Sequence, residues 1–270
     1  FQPLRDIDQK SERIWAANYI ETKLIVQGLD VGPSEKKEID QTLTNLASDS
    51  IENRTMSAFC HLVQNQKIRD ALRPYTLEGN LGQLFDADQD GLKGGFWQMI
   101  EMGHVMDMGD TAIIPCLEYL FHKLEQRMGK GPMLLVLDEA WLFLSHPVFM
   151  GRIKAWLKTL RKKDVYVVFA TQEAADAADS PIMPTLLSAC QTKIYLPDKD
   201  AMTPAMFDAY SKFGLSETEI MLLNNAIRKK EYYYRSSSGR RLFNLDMGPV
   251  ALAFAAMSSE ADQNFMNGMV

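Results

Sequence analysis

Two adjacent acids, Asp138 and Glu139, have the most chemistry to offer in this chain, and they follow the apolar run Met133-Leu134-Leu135-Val136-Leu137. A buried strand that ends in acids delivers them to the carboxyl edge of an open α/β sheet, where ligands bind in that architecture. There the first carboxylate can hold a magnesium ion, usually through water, and the second can polarise an attacking water. Those are the parts of a nucleoside triphosphatase. The same residues also suit a strand that runs into a turn with two solvated acids. A second run, 165–170, ends in Thr171-Gln172. A polar group at the tip of the neighbouring strand can sense a γ-phosphate and orient the water. By itself, Thr-Gln is also an ordinary helix cap and first turn. Two such tips, about one βα unit apart, favour the phosphate chemistry.

Arginines supply the remaining candidates. Arg161-Lys162-Lys163 closes the segment between the two strands, and Arg240-Arg241 lies in a hairpin further on. An arginine that reaches a neighbour's γ-phosphate is worth roughly 10³–10⁵ in rate. Each cluster also has a plainer role: cations complement a helix C-terminus, and charges on a hairpin edge discourage strand pairing. Arg228-Lys229-Lys230 reads as a second basic helix end. The stretch Asp86-Ala87-Asp88-Gln89-Asp90-Gly91 imitates a calcium loop, but its twelfth position is Trp97 where a bidentate Glu is needed. His61, His104, His122 and His146 show no ligand spacing, and no Gly-x-Ser-x-Gly elbow is present. Tyr232-Tyr233-Tyr234 suits a half-buried strand better than a base-stacking platform. The sequence contains no Gly-x-x-x-x-Gly-Lys-Ser/Thr phosphate loop. Because it opens on Phe1 without Met, the expectation is a fragment whose phosphate loop lies upstream.

The elements that must position these groups are legible in the hydrophobic pattern. Residues 11–75 read as all-helical. Ile14, Ala17, Ile20, Leu24 and Ile25 recur at helical spacing, as do Ile39, Leu43 and Leu46. A third helix over 56–72 is capped by Thr55 and stopped at Arg73-Pro74. Strands are expected at 96–102, 133–137, 165–170, 193–196 and 249–254. A helix over 111–128 tolerates Pro115 in its first turn, and a second amphipathic helix carries Phe149, Ile153, Trp156, Leu157 and Leu160. Near-continuous apolar strands separated by helices indicate a parallel sheet covered on both faces. Ser216–Glu219 forms a capping box, and 231–235 with 241–245 form a β-hairpin.

Composition bounds the partners. With 46% apolar and 24% charged residues the chain is globular, and a net charge of -6 argues against a surface built throughout to coat nucleic acid. Cys60, Cys116 and Cys190 are scattered and odd in number, which suits a reducing compartment. The longest apolar run is interrupted by Asp138 and Glu139, so no transmembrane segment is expected.

Taken in order, 1–4, 135–141, 159–162, 169–172 and 232–245 resemble the TrbE-like conjugative-transfer ATPases of type IV secretion systems. The resemblance runs over nearly the whole chain, and the order of the five stretches carries it. It implies an α/β fold with a RecA-like, mostly parallel sheet flanked by helices, an inserted all-helical subdomain and a C-terminal hairpin. The implied layout is 1–10 as the start of the core, 11–75 as the insertion, 76–256 as the core and 257–270 as a tail. It also implies ATP with Mg²⁺, a hexamer, and docking with other secretion components at the cytoplasmic face of the inner membrane. DNA or protein would be the transferred substrate. Carried over by residue, Asp138 helps hold magnesium, Glu139 is the base, Gln172 with Thr171 meets the nucleotide, and Arg161, Arg240 and Arg241 match arginine motifs that act across a subunit boundary. A coupling-type DNA pump and a non-catalytic docking module are the rival readings.

Overall fold

The computed structural model describes residues 1–92, 94–139, 147–172, 174–248 and 251. The chain divides into two compact units, Phe1–Arg127 and Met128–Val270.

The first unit is helical. Helix α1 (Lys10–Val26) buries Ala16, Tyr19, Ile20, Lys23 and Leu24. This is not the stripe expected from Ile14 and Ile25, which are exposed. The aromatic wall it meets sets its rotation. The Lys23 ammonium lies 3.9 Å from the Tyr75 ring centre and 3.6 Å from that of Phe85, so Tyr19 and Lys23 turn inward. Helix α2 (Pro33–Leu46) buries Ile39, Leu43 and Leu46 as its spacing requires. The expected helix over 56–72 is instead two, α3 (Met56–Leu62) and α4 (Gln66–Leu72). Glu38 on α2 causes the break, because its carboxylate accepts from the backbone N–H groups of Gln64 and Asn65 at 2.7 and 2.6 Å. Thr55 caps α3 through the Ala58 N–H at 3.1 Å.

Short helices α5 (Gly82–Phe85) and α6 (Gly103–Met106) lead to α7 (Asp110–Arg127). Because α7 begins at Asp110, Pro115 sits beyond the first turn, contrary to expectation. Its missing N–H deprives the Thr111 carbonyl of a helical donor. The Tyr75 hydroxyl replaces it, donating to that carbonyl at 2.8 Å. The backbone over 79–82 runs very close to residues 73–77: a Cβ on Gly82 would lie 2.1 Å from the Thr76 carbonyl oxygen. The strand expected over 96–102 does not form. That segment is coil with Phe96, Trp97 and Met99 exposed, and all described strands, which could have paired with it, belong to the other unit.

In the second unit, β1 (Met133–Leu137) pairs in parallel with β2 (Val165–Phe169), in register from Met133 opposite Val165 to Leu137 opposite Phe169. The crossover helix Pro147–Thr159 buries Phe149, Ile153 and Trp156. One face of this pair is buried through Leu135, Leu137 and Val165. On the other face Leu134, Val136, Tyr166 and Val168 are 65%, 56%, 65% and 47% exposed, so within the described residues it is not covered as the pattern suggested. β3 (Lys193–Tyr195) does not extend the parallel pair. It lies antiparallel against β4 (Glu231–Ser236), which forms the expected hairpin with β5 (Gly239–Asn244). A hairpin edge offers unpaired backbone groups, and β3 fills them with Ile194 opposite Tyr234 and Tyr195 opposite Tyr233. The architecture is therefore mixed α/β, with a small parallel pair and a three-stranded antiparallel sheet. Apart from Ala251, the strand expected at 249–254 lies outside the described residues, as does the tail at 257–270.

Candidate functional site

The last ladder pair of the parallel strands is Leu137 opposite Phe169, after which the Ala170 N–H donates to the Leu137 carbonyl at 2.9 Å. Both chains then leave the sheet at the same edge. Asp138-Glu139 follows one strand and Thr171-Gln172 the other, so the four polar residues predicted at the strand tips are brought to one edge. Asp138, Thr171 and Gln172 are exposed, and Glu139 is half-buried. Glu139 has a φ of 49°, in the left-handed region. That conformation costs a residue with a Cβ roughly 1–2 kcal/mol, and such strain concentrates at functional sites. The Glu139 N–H donates to Asp138 Oδ1 at 3.1 Å, which orients the Asp138 carboxylate at the tip. An exposed, oriented carboxylate at a sheet edge fits magnesium, which keeps most of its waters and takes one or two protein carboxylates.

The arginines lie on other elements: none belongs to the two strand tips. Arg161 lies in the short 3₁₀ turn Leu160–Lys163, just before the amino end of β2. That turn is closed by Asp164 with a φ of 55°. Five residues of strand, at about 3.3 Å each, separate that backbone from the tip at Thr171. Arg240 and Arg241 are on β5. Adjacent strand residues point to opposite faces, so the pair does not act as one cluster. Arg240 donates to Glu219 Oε1 at 3.1 Å.

Glu219 was legible only as the closing residue of a capping box, the third residue of its helix. The box forms, with Ser216 N–H and Oγ donating to Glu219 Oε2 at 2.7 and 2.9 Å. The other carboxylate oxygen accepts from the Tyr233 hydroxyl at 2.6 Å as well as from Arg240. Burial would raise this carboxyl's pKa. The donors from Ser216 and Tyr233 and the field of Arg235 outweigh it and hold the pKa at about 2. Nothing in the local sequence ties Glu219 to residues 14 and 21 positions away, so sequence reasoning missed this hub.

Two of the three acids of the calcium-like stretch, Asp86 and Asp90, are engaged internally, and Asp88 is exposed. Asp86 accepts from the N–H groups of Ser57 and Leu77 at 3.0 and 2.8 Å. Asp90 accepts from the Tyr119 hydroxyl at 2.6 Å and pairs with Lys123 at 3.1 Å. Among the described residues, no group of three or more His, Cys, Asp or Glu is placed to hold a metal ion. No helix among them is long and apolar enough to cross a membrane.

An α/β unit presenting two acids and a Thr-Gln pair at one sheet edge, in a chain that also carries a helical unit, has a counterpart of known fold. The solved structure of VirB4 from Thermoanaerobacter pseudethanolicus matches 88% of this chain and 71% of its own with a TM-score of 0.64, at 15% identity. The sequence narrows the kinship. The chain is 42% identical over 264 residues to a probable conjugal transfer protein TrbE of Sinorhizobium fredii, and 41% identical over 262 residues to the conjugal transfer protein TrbE of Rhizobium radiobacter. These alignments take in 98% and 97% of the chain, which is thus a homologue of the TrbE conjugal transfer proteins. The type IV secretion system protein virB4 of Bartonella henselae is 26% identical over 245 residues, 88% of this chain and 30% of that protein. The chain spans 40% and 32% of the lengths of the two TrbE relatives. No protein-family model matches it.

Proposed function

We propose that this chain is part of an ATP-hydrolysing motor of a type IV secretion and conjugation system, built on a RecA-like core. The observation that carries the reading is the in-register pair of strand tips, with Asp138-Glu139 and Thr171-Gln172 at one edge, in a chain homologous to conjugal transfer proteins. In this reading 11–75 is a helical insertion between a core segment at 1–10 and the main core at 76–256, with 257–270 as a tail. The motor is a hexamer at the cytoplasmic face of the inner membrane, in contact with other secretion components. It energises pilus assembly and the transfer of DNA or protein.

Hydrolysis needs a water to attack the γ-phosphorus as its proton is removed, while the bond to the β–γ bridging oxygen breaks and ADP leaves. Glu139 is the base, and its strained backbone fixes the carboxylate at the edge where the nucleotide binds. Asp138 helps hold Mg²⁺, which when bound neutralises phosphate charge. Gln172, with Thr171 beside it, orients the water from the neighbouring tip. Arg161, Arg240 and Arg241 are the candidates for stabilising the developing charge from an adjacent subunit. The sequence has no phosphate loop of the Gly-x-x-x-x-Gly-Lys-Ser/Thr type, so residues 1–270 alone hydrolyse ATP weakly or not at all.

The test is steady-state turnover of the full-length protein that contains this chain. Glu139→Gln keeps the size of the side chain and removes the base, and it should lower kcat by about 10²–10⁴ while leaving nucleotide binding intact. Unchanged kcat would remove Glu139 from the chemistry. A coupling-type DNA pump would show strong, salt-dependent DNA binding, and a docking module would show no turnover in the full-length protein.

A further inference from the structure

Lys193, Arg235 and Arg240 form a row across the antiparallel sheet. Lys193 is directly opposite Arg235 on the neighbouring strand, and Arg235 is directly opposite Arg240 on the next. Residues directly opposite share a face, with Cβ atoms about 4.5–5.5 Å apart, and like charges so placed destabilise a sheet. The row also lines an open groove of about 460 Å³, to which Ser236, Ser237 and Gly239 of the hairpin turn contribute. No acid is among the described residues that line the groove.

Each cation also has an acceptor within the protein. Lys193 Nζ donates to the Leu187 and Cys190 carbonyls at 3.1 and 2.9 Å. Arg235 Nη1 donates to the Gly214 carbonyl at 2.5 Å. Arg240 Nη1 donates to the buried Glu219 carboxylate, while the Arg240 side chain is 56% exposed. Glu219 is itself fixed by Ser216 and Tyr233, so its position does not depend on the arginine. Three cations in a row with one carboxylate bonded to them leave, among the described residues, a net positive charge at the groove. Such a row is retained at a cost unless an anion meets it.

We propose that Lys193, Arg235 and Arg240 form a binding site for a polyphosphate chain of the kind a nucleoside triphosphate carries, and that Glu219 is the positioning residue that aims Arg240 into it. The proposal rests on the phosphate-handling role given above to Arg240 and adds the two cations beside it. A compact polyphosphate matches a short row of cations on a sheet face, where each guanidinium can present further N–H groups to phosphate oxygens.

Calorimetric titration of the 270-residue chain with inorganic tripolyphosphate tests this without any turnover. The wild type should bind, and Arg235→Ala or Arg240→Ala should each weaken binding about 10-fold. Glu219→Gln separates the two effects by sign. It removes a negative charge near the groove, so bulk electrostatics calls for tighter binding, whereas loss of positioning calls for binding about 10-fold weaker. Glu219→Asp keeps the charge but shortens the reach, so it should also weaken binding, and it carries the test if the Gln variant does not fold. Tighter or unchanged binding in the Glu219 variants overturns the positioning role. No binding by the wild type, or no loss on removing either arginine, overturns the site. A single-stranded oligonucleotide that binds the groove more tightly than tripolyphosphate overturns the nucleotide assignment in favour of a nucleic-acid backbone. Each of these failures leaves the Glu139 turnover test standing, and a failure of that test leaves the binding result standing.

Discussion

Lys23 is fully buried on α1 and its ammonium finds no hydrogen-bond acceptor among the described residues. The rings of Tyr19, Tyr75 and Phe85 approach it at 4.6, 3.9 and 3.6 Å, and attraction to ring faces favours the cation. Burial works against the charge and prevails over the fields of Glu118, Cys116 and Asp86, so its pKa falls well below the ordinary lysine value. The folded chain therefore binds this proton less tightly than the unfolded chain does. Between the depressed folded pKa and the ordinary value near 10.4, the unfolded state carries more protons, so this group makes stability rise with pH across that window. The thiols of Cys60 and Cys116, pushed up to about 12 by burial, act oppositely: the folded state keeps their protons, and stability falls as pH rises past 9. A difference between variants isolates Lys23. Lys23→Met keeps the apolar stem, and at pH 7 it should gain about 1–3 kcal/mol, the usual cost of burying an unpartnered polar group. Urea unfolding from pH 6 to 9 should show that gain shrinking as pH rises. A constant gain would mean that Lys23 is not the titrating group.

At the scale of elements, the parallel pair β1–β2 presents a face on which Leu134, Val136, Tyr166 and Val168 are exposed among the described residues. Leu134 lies opposite Tyr166 and Val136 opposite Val168, which makes one contiguous apolar patch. Patches of this kind mark interaction surfaces or drive association. Replacing Val136 and Val168 with Thr keeps the β-branched shape that strands favour and adds a hydroxyl to each. In the 270-residue chain the double variant should reduce self-association, read by light scattering, and shift the unfolding free energy by less than about 1 kcal/mol. A large loss of stability would show that the face is packed. The same pair shows what the sequence could carry. Apolar runs, the helical segment between them and their polar ends are local features, so the strand tips at Asp138-Glu139 and Thr171-Gln172 were legible, as were the Ser216–Glu219 box and the hairpin. What was not legible depends on distant partners. Glu38 splits a helix by binding the N–H groups of Gln64 and Asn65. Tyr75 makes Pro115 tolerable in mid-helix. The apolar run in 193–196 said strand, but only the hairpin edge made it antiparallel. Apolar content at 96–102 said strand as well, without a ladder to join. Glu219 belongs to the same class, since its partners Tyr233 and Arg240 are reached only through the tertiary fold.

At the scale of the whole molecule, the arrangement of the arginines constrains how the proposed site could be completed. Arg161 sits at the amino end of β2, while the acids and the Thr-Gln pair leave from the carboxyl ends. Arg240, bonded to Glu219 of the helix Glu217–Asn225, and Arg241 lie on β5, in a different sheet from β1 and β2 and on opposite faces of it. An arginine that must reach phosphate from any of these positions does so most simply from a neighbouring subunit, which is how head-to-tail contacts in a ring place one copy's edge against another's site. The expected consequence is complementation. A full-length Glu139→Gln subunit has no base but supplies every arginine, and an Arg240→Ala subunit has the base but lacks one arginine. Mixed in equal amounts and allowed to exchange, they should regain a measurable fraction of wild-type turnover. Each mutant alone should stay near background, because an arginine acting this way is worth roughly 10³–10⁵ in rate. The same mixture with Arg161→Ala or Arg241→Ala identifies which arginine crosses the boundary. If no mixture exceeds the average of its two components, all three arginines act within their own subunit or outside the chemistry, and the row at Lys193, Arg235 and Arg240 then serves an anion that is not a neighbour's nucleotide.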